Sequence, residues 1–254
     1  MNRVATDELD QIDRAFAGNR LLSTFPREAR ALIEPFAEVV ELQTGSTVLR
    51  RGEDVASTYF PFGEAMVSLV VELSDGRTLE VASIGHEGAV GGIVSCGRAP
   101  AFGSATVLVS GPALRVPMQA LEDAKARSGH IRNLFCRFSD YLLSQVMQSA
   151  ACNAYHPIEQ RAARWLLTAQ DRAGPTIELT QEAFAGLLGV QRTTVNAVIQ
   201  ALLSEGLVAT RRGAIQVVDR AGLKRRSCEC HAVVEEHFAA VIGPSGTGGS
   251  KDCG

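Results

Sequence analysis

The chain has 254 residues, 46% of them apolar, enough to fill one large or two modest cores. Its formal net charge of −3 is unevenly spread: residues 157–226 hold ten basic and six acidic side chains, +4, leaving −7 for the remainder. That division argues against a uniformly acidic protein and suits a basic nucleic-acid-binding module joined to an acidic partner domain.

Residues 1–19 give no clear fold signal. Asp7, Glu8, Asp10 and Asp13 without an apolar stretch are unlike a secretory signal, and no later run approaches the ~20 apolar residues of a spanning helix. A cytoplasmic protein with no membrane partner is expected.

Residues 20–127 read as a β-roll sensor domain in an α+β protein. From about Val39 to Pro117, short β-prone runs alternate with glycine turns. Val48 and Leu49 lie between Gly45 and Gly52. Met66 to Leu73 turns through Ser74, Asp75 and Gly76 into Thr78 to Ile84, and Ala105 to Val109 and Ala113 to Val116 flank Gly111 and Pro112.

Residues 128–155 predict one long helix, with Gly129 its only glycine and no proline. Ile131, Leu134, Phe138, Tyr141, Gln145, Gln148 and Cys152 follow the alternating steps of a coiled-coil seam. The first five are therefore candidates for a parallel dimer interface, although the same spacing suits an amphipathic helix lying on its own β-roll. Asn153 to Pro157 is expected to be a hinge, and Pro157 fits the first turn of a following helix closed by Gly174 and Pro175.

Residues 156–226 predict a winged helix-turn-helix. Thr180 is a good N-cap and a candidate DNA contact, Phe184, Leu187 and Leu188 form an apolar stripe, and Gly189 suits the end of that helix. A second helix starts near Arg192. Val195, Val198, Ile199, Leu202 and Leu203 supply its buried side, which leaves Thr193, Asn196, Ala197 and Gln200 on the other, with Gln191 and Arg192 at its start.

These side chains suit a major groove, where arginine pairs with guanine and asparagine or glutamine with adenine. Leu207 to Thr210 and Ala214 to Val218 predict a hairpin whose tip, Arg211 and Arg212, can reach phosphates. Residues 227–254 are expected to form a partly disordered tail, glycine- and serine-rich from Gly243. Cys228, Cys230, His231 and His237 cluster within it. C-x-C-H without a second cysteine pair lacks the usual zinc spacing, so no metal is expected there and a helix end or packed tail is the simpler account.

A β-roll, a long helix, a hinge and a winged helix in this order resemble the Crp/Fnr family of bacterial transcription regulators, from about Leu21 to Arg226. The resemblance is carried by G-S-T-V-L-R-R-G-E at Gly45 to Glu53, I-E-Q-R-A-A-R-W-L-L at Ile158 to Leu167, and L-G-V-Q-R-T-T-V-N-A-V-I-Q-A-L at Leu188 to Leu202. It implies a cyclic-nucleotide-binding-like roll, a homodimer on a pseudo-palindromic operator, and RNA polymerase as a protein partner. It also puts Gln191, Arg192, Thr193 and Asn196 at base-reading positions.

Two departures stand out. Thr193 replaces a common acidic residue, and Ala197 replaces the second arginine of some members. In the roll, Gly88 to Gly92 and the Gly103-Ser104-Ala105 step lack the carboxylate and guanidinium that the family uses for ribose and cyclic phosphate, so cyclic AMP in the usual mode is not expected.

Arg77, His86, Glu87 and Ser104 are the candidate effector residues, with Arg98 and Arg115 as other possible cations. No cofactor is named: the first cysteine, Cys96, is too late for the family's N-terminal iron–sulfur ligands, and a lone His86 is more simply a polar contact than a haem ligand. An enzyme is not expected, since no nucleophile–base pair shows a motif spacing and Gly88 to Gly92 lacks the lysine and hydroxyl of a phosphate loop. The alternative function is a small-ligand receptor whose winged helix serves protein contacts.

Overall fold

The computed structural model describes residues 2–92 and 100–243, with side chains from residue 9 onward. Cys96, Arg98, Cys253 and the chain from 244 lie outside the described residues.

Residues 1–19, without an evident element in the sequence, contain helix α1, Asn2–Gly18. Ile12, Ala15 and Phe16 bury one side of it, a stripe too narrow to stand out among the acidic residues. Asn19 follows, fully buried, donating to the Pro61 and Gly88 carbonyls at 2.8 Å each and accepting from the amides of Leu21 and Leu22. Helix α2, Arg27–Ile33, completes the N-terminal cap of the roll.

Seven strands make the roll: β1 (Glu38–Leu42), β2 (Thr47–Leu49), β3 (Ser57–Pro61), β4 (Met66–Glu72), β5 (Thr78–Ile84), β6 (Ser104–Val109) and β7 (Gly111–Pro117). They form two antiparallel sheets in the orders β1-β7-β3 and β2-β6-β4-β5. Leu42, Ala65, Val67, Ile84, Val90, Ala105, Val107 and Ala113 pack together as the interior of the roll. The β4–β5 hairpin turns at Asp75 and Gly76 as expected. By contrast, β6 and β7 meet at Ser110 and not across Gly111 and Pro112, because both of those residues already pair with β1.

Helix α3, Met118–Arg127, leads into the long helix α4, Gly129–Tyr155, whose N-terminus is capped by Ser128 Oγ accepting from the Ile131 amide. The expected dimer seam does not face outward. Ile131, Leu134, Phe138 and Tyr141 have no exposed surface within their own chain, packed with α1, α3, strands of the roll and a C-terminal helix, and Gln145 is only 6% exposed. A side chain with no exposed surface in one subunit cannot touch another, so the alternative of a helix lying on its own roll holds for this face.

The break after α4 is shorter than expected. Asn153 to Tyr155 remain helical, and the link is His156 and Pro157 alone, both extended. Helix α5 (Ile158–Ala173), β8 (Thr176–Ile177), α6 (Gln181–Leu188), α7 (Arg192–Ser204), β9 (Val208–Arg211), β10 (Ala214–Val217) and α8 (Arg220–Arg226) then form the winged helix, with sheet order β8-β10-β9. Its core unites Trp165, Leu166, Phe184, Leu188, Val195, Ile199 and Leu202 and continues into the roll through Met66 and Val109.

The segment read as a tail holds a further helix, α9 (Cys230–Val241), lying along α4. Phe238 meets Tyr141 edge-on, with ring centroids 4.7 Å apart, and the Arg20 guanidinium lies over the Phe238 ring at 4.1 Å. Among the described residues no helix is long and apolar enough to cross a membrane.

Candidate nucleic-acid interface

Local chemistry fixes the helix-turn-helix. Thr180 Oγ1 accepts from the Ala183 amide and so caps α6, which leaves its O–H proton to donate. At the other end Gly189 takes the left-handed conformation (φ 65°, ψ 35°). The Val190 amide returns to the Ala185 carbonyl and the Gly189 amide to that of Gly186, a Schellman closure that reverses the chain within a few residues.

Helix α7 follows with Val195, Val198, Ile199 and Leu202 buried. Gln191, Arg192, Thr193, Asn196, Ala197 and Gln200 are all exposed on its outer side. Arg192 Nε lies 3.9 Å from Glu182 Oε2, both side chains mostly in solvent, a contact too weak to hold the guanidinium. No side chain caps α7, so its first amides remain open to an anion such as a phosphate. In the wing, Arg211 pairs with Ala214 across a turn of Arg212 and Gly213, and both arginines are exposed.

The candidate effector residues do not come together. Arg77 is exposed in the β4–β5 turn, pairing with Asp75 at 2.8 Å, and Arg115 pairs with Glu38 at 2.6 Å on the outside of the roll. His86 is half-buried, and its carbonyl accepts from the Arg20 amide. Only Ser104 lines the cavity of the roll. That cavity, about 310 Å³, is walled by Leu49, Leu69, Val71, Val81, Ile84 and Phe102, and by Leu142 and Val146 of α4. Ser104 is its only polar side chain among the described residues.

Glu87 has another task. With Arg172 of α5 it forms a buried ion pair, Nε to Oε1 2.8 Å, while its Oε2 accepts from the Gly85 amide at 2.9 Å. Arg172 also donates to Ser83 Oγ, and at 3.2 Å each to Tyr141 Oη and Gln145 Oε1, so one guanidinium joins the roll, α4 and the winged helix. Burial works against its charge, but Glu87 and Tyr141 more than restore it. The loop carrying Glu87 can approach α4 only because Gly88 has no side chain: a Cβ there would lie 2.4 Å from the Phe138 ring.

Trp165 Nε1 makes a second link by donating to Glu80 Oε1 at 2.7 Å, and Ser68 donates to the other oxygen at 2.6 Å. Burial pushes the Glu80 carboxyl above the usual carboxylate range despite these two donors. This junction left no signal in the sequence, since its partners lie far apart and match no motif.

The C-terminal cysteines also find unexpected neighbours. Cys228 and Cys230 meet Cys152 and His156, whereas His231 pairs with Asp171 at 2.7 Å and His237 with Asp140 at 2.8 Å. The hydrogen bond between Cys228 and Cys152 holds the Cys152 thiol below its ordinary range and that of Cys228 well above it.

Residues 160–226 match the Crp-like helix-turn-helix domain. No curated protein matches the chain in sequence. Among solved structures, FixK2 from Bradyrhizobium japonicum is 18% identical with a TM-score of 0.64, over 76% of this chain and 98% of that one. A transcriptional regulator of the CRP family from Thermus thermophilus is 21% identical (TM-score 0.61, 74% and 96% covered). The c-di-GMP responsive global regulator CLP from Xanthomonas campestris is 16% identical (TM-score 0.60, 76% and 99% covered). The chain thus carries a Crp-like helix-turn-helix domain and has the fold of the Crp/Fnr transcription regulators.

Proposed function

We propose that the protein is a homodimeric, sequence-specific DNA-binding regulator of transcription, with α7 reading bases and the wing holding phosphates. The carrying observation is the exposed face of α7, where Gln191, Arg192, Thr193, Asn196 and Gln200 stand together without an apolar side chain larger than Ala197. Charged, hydrogen-bonding and non-apolar, this face suits a groove better than a protein partner.

The dimer contact would lie on the outer side of α4. Cys136, Leu143, Met147, Ala150 and Ala154 are exposed there at the steps of a coiled-coil seam, with Leu143 56% and Met147 64% exposed. Two winged helices held this way would read half-sites about one turn, ~34 Å, apart. RNA polymerase is the protein partner this role would require.

The apolar walls of the roll favour a ligand of mainly apolar character over a cyclic nucleotide, whose phosphate would need a cation. Such a ligand would touch Leu142 and Val146, directly beside Leu143 and Met147, and so bias the dimer contact through α4.

Selection of bound sequences from random duplex DNA, with purified protein and no added nucleotide, tests the reading. An enriched palindrome with half-sites one turn apart is expected. A folded protein that enriches no sequence, either alone or with cyclic nucleotides or apolar compounds added, would overturn it.

A further inference from the structure

Four side chains able to bind a metal meet at the C-terminal end of α4. Cys152 lies in its last turn, His156 is its C-cap, Cys228 comes from the link between α8 and α9, and Cys230 opens α9. Cys152 Sγ is 3.6 Å from Cys228 Sγ, and Cys230 Sγ is 3.4 Å from His156 Nδ1. All four ligand atoms lie within 4.8 Å of one another, and the three cysteines are buried.

A single tetrahedral ion requires this spacing. Bonds of ~2.3 Å to sulfur and ~2.0 Å to nitrogen place sulfur about 3.8 Å from sulfur and about 3.5 Å from nitrogen. The quartet is too tight for an iron–sulfur cluster, in which each thiolate takes a different corner of a larger body. Three soft thiolates and one imidazole in a closed, buried tetrahedron favour zinc.

The surroundings agree with that assignment. His156 Nε2 lies 3.4 Å from Glu229 Oε1, on the side of the ring away from the sulfurs, while its Nδ1 faces Cys230 Sγ. Gln148 Nε2 donates to Cys230 Sγ at 3.1 Å. Arg161 and Arg164 act electrostatically on Cys152, and the Nε of each is buried without a hydrogen-bond partner among the described residues. Two cations with an unspent donor suit a site whose loaded form, three thiolates around one divalent ion, is negative overall.

We propose that Cys152, His156, Cys228 and Cys230 bind one Zn²⁺ per chain in a closed structural site. Loading releases the three thiol protons to solvent and leaves every oxidation state unchanged. The ligands stand at both ends of the DNA-binding domain, before Pro157 and after Arg226, so the ion fastens that domain to α4. Arg161 extends the connection by donating to the Leu188 carbonyl at 2.7 Å, just ahead of the turn into α7.

The test uses the full chain, purified under reducing conditions without chelator. Elemental analysis is expected to find one zinc per chain, with an X-ray absorption fit of three sulfurs and one nitrogen. Protein stripped by chelator and titrated with Co²⁺ should show tetrahedral d–d and thiolate charge-transfer bands saturating at one equivalent, a readout that needs no variant. Cys152→Ser and Cys228→Ser should lose those bands, while Cys136→Ser, whose thiol is exposed outside the quartet, should keep them. No Zn²⁺ or Co²⁺ uptake by the reduced, folded protein would overturn the assignment, as would a metal retained when Cys152 and Cys228 are both replaced. A Cys152–Cys228 disulfide as the sole product, with no ion bound by the reduced form, would also overturn it.

Discussion

Arg192 stands in the first turn of α7 with its guanidinium in solvent, whereas Arg211 closes β9 beside the tip of the wing. Equal in charge, they would face different parts of a duplex in the proposed complex. Arg192→Ala is expected to cost ~1–3 kcal/mol on the preferred sequence and to relax the choice of base, while Arg211→Ala weakens all DNA about equally and lowers the salt slope by about one unit. Titrations on selected and scrambled duplexes at several salt concentrations separate the two, and identical profiles would remove the distinction.

Glu80 offers a second prediction at this scale. Burial raises its pKa above the unfolded value, so the folded state holds the proton more tightly. Its contribution to stability is full below the unfolded value of 4.5 and is lost as pH rises through the raised folded value, with Arg164 and Arg172 as the cations that limit the rise. Relative to the wild type, Glu80→Gln should therefore gain melting temperature as pH rises above 4.5. A pH-independent difference between the two would count against a raised Glu80.

Among the elements, α4 was only half legible in the sequence. Its buried face, from Ile131 to Cys152, and its open face, from Leu143 to Ala154, both repeat at alternating steps of three and four. A helix with two apolar faces does not say which one its own chain will cover, and α9, hidden in a segment that reads as a tail, is part of what covers the first. In α7 the same kind of pattern was decisive because only one side is apolar. The turn, the wing and the exposed polar face all followed from residues close together in the chain.

Arg77, Glu87 and Arg115 are paired elsewhere, and the sequence hid this for a related reason. A charge near a roll signals a ligand only if no partner elsewhere claims it, and Asp75, Arg172 and Glu38 claim Arg77, Glu87 and Arg115. The two faces of α4 now make opposite predictions. Phe138→Ala should destabilise the subunit by ~3–5 kcal/mol in denaturant titrations, as expected for a buried aromatic side chain. Leu143→Glu with Met147→Glu should leave the subunit's circular dichroism intact and shift sedimentation from dimer to monomer. A dimer unaffected by both charges would move the interface elsewhere.

Across the whole molecule, roll and winged helix share one core through Met66 and Val109 and are joined by Arg172 and Trp165. Removing one member of a buried ion pair leaves an uncompensated charge, so Glu87→Gln and Arg172→Met should each cost up to ~3–5 kcal/mol. Their double variant should cost less than the sum, with a coupling of ~0.5–3 kcal/mol in a denaturation cycle. Strict additivity would mean that the two groups do not act together.

The seat of Arg172 constrains how such a protein can be recombined. A chimera that transplanted residues 157–226 onto another roll would carry Trp165 and Arg172 into a surface without Glu80, Ser83 and Glu87, and would bury two donors with nothing to receive them. The roll left behind would keep two carboxylates facing a vacated socket. Winged helix and roll are therefore exchangeable as a pair, and a working hybrid must carry the acceptors on β5 and the Glu87 loop together with the donors on α5.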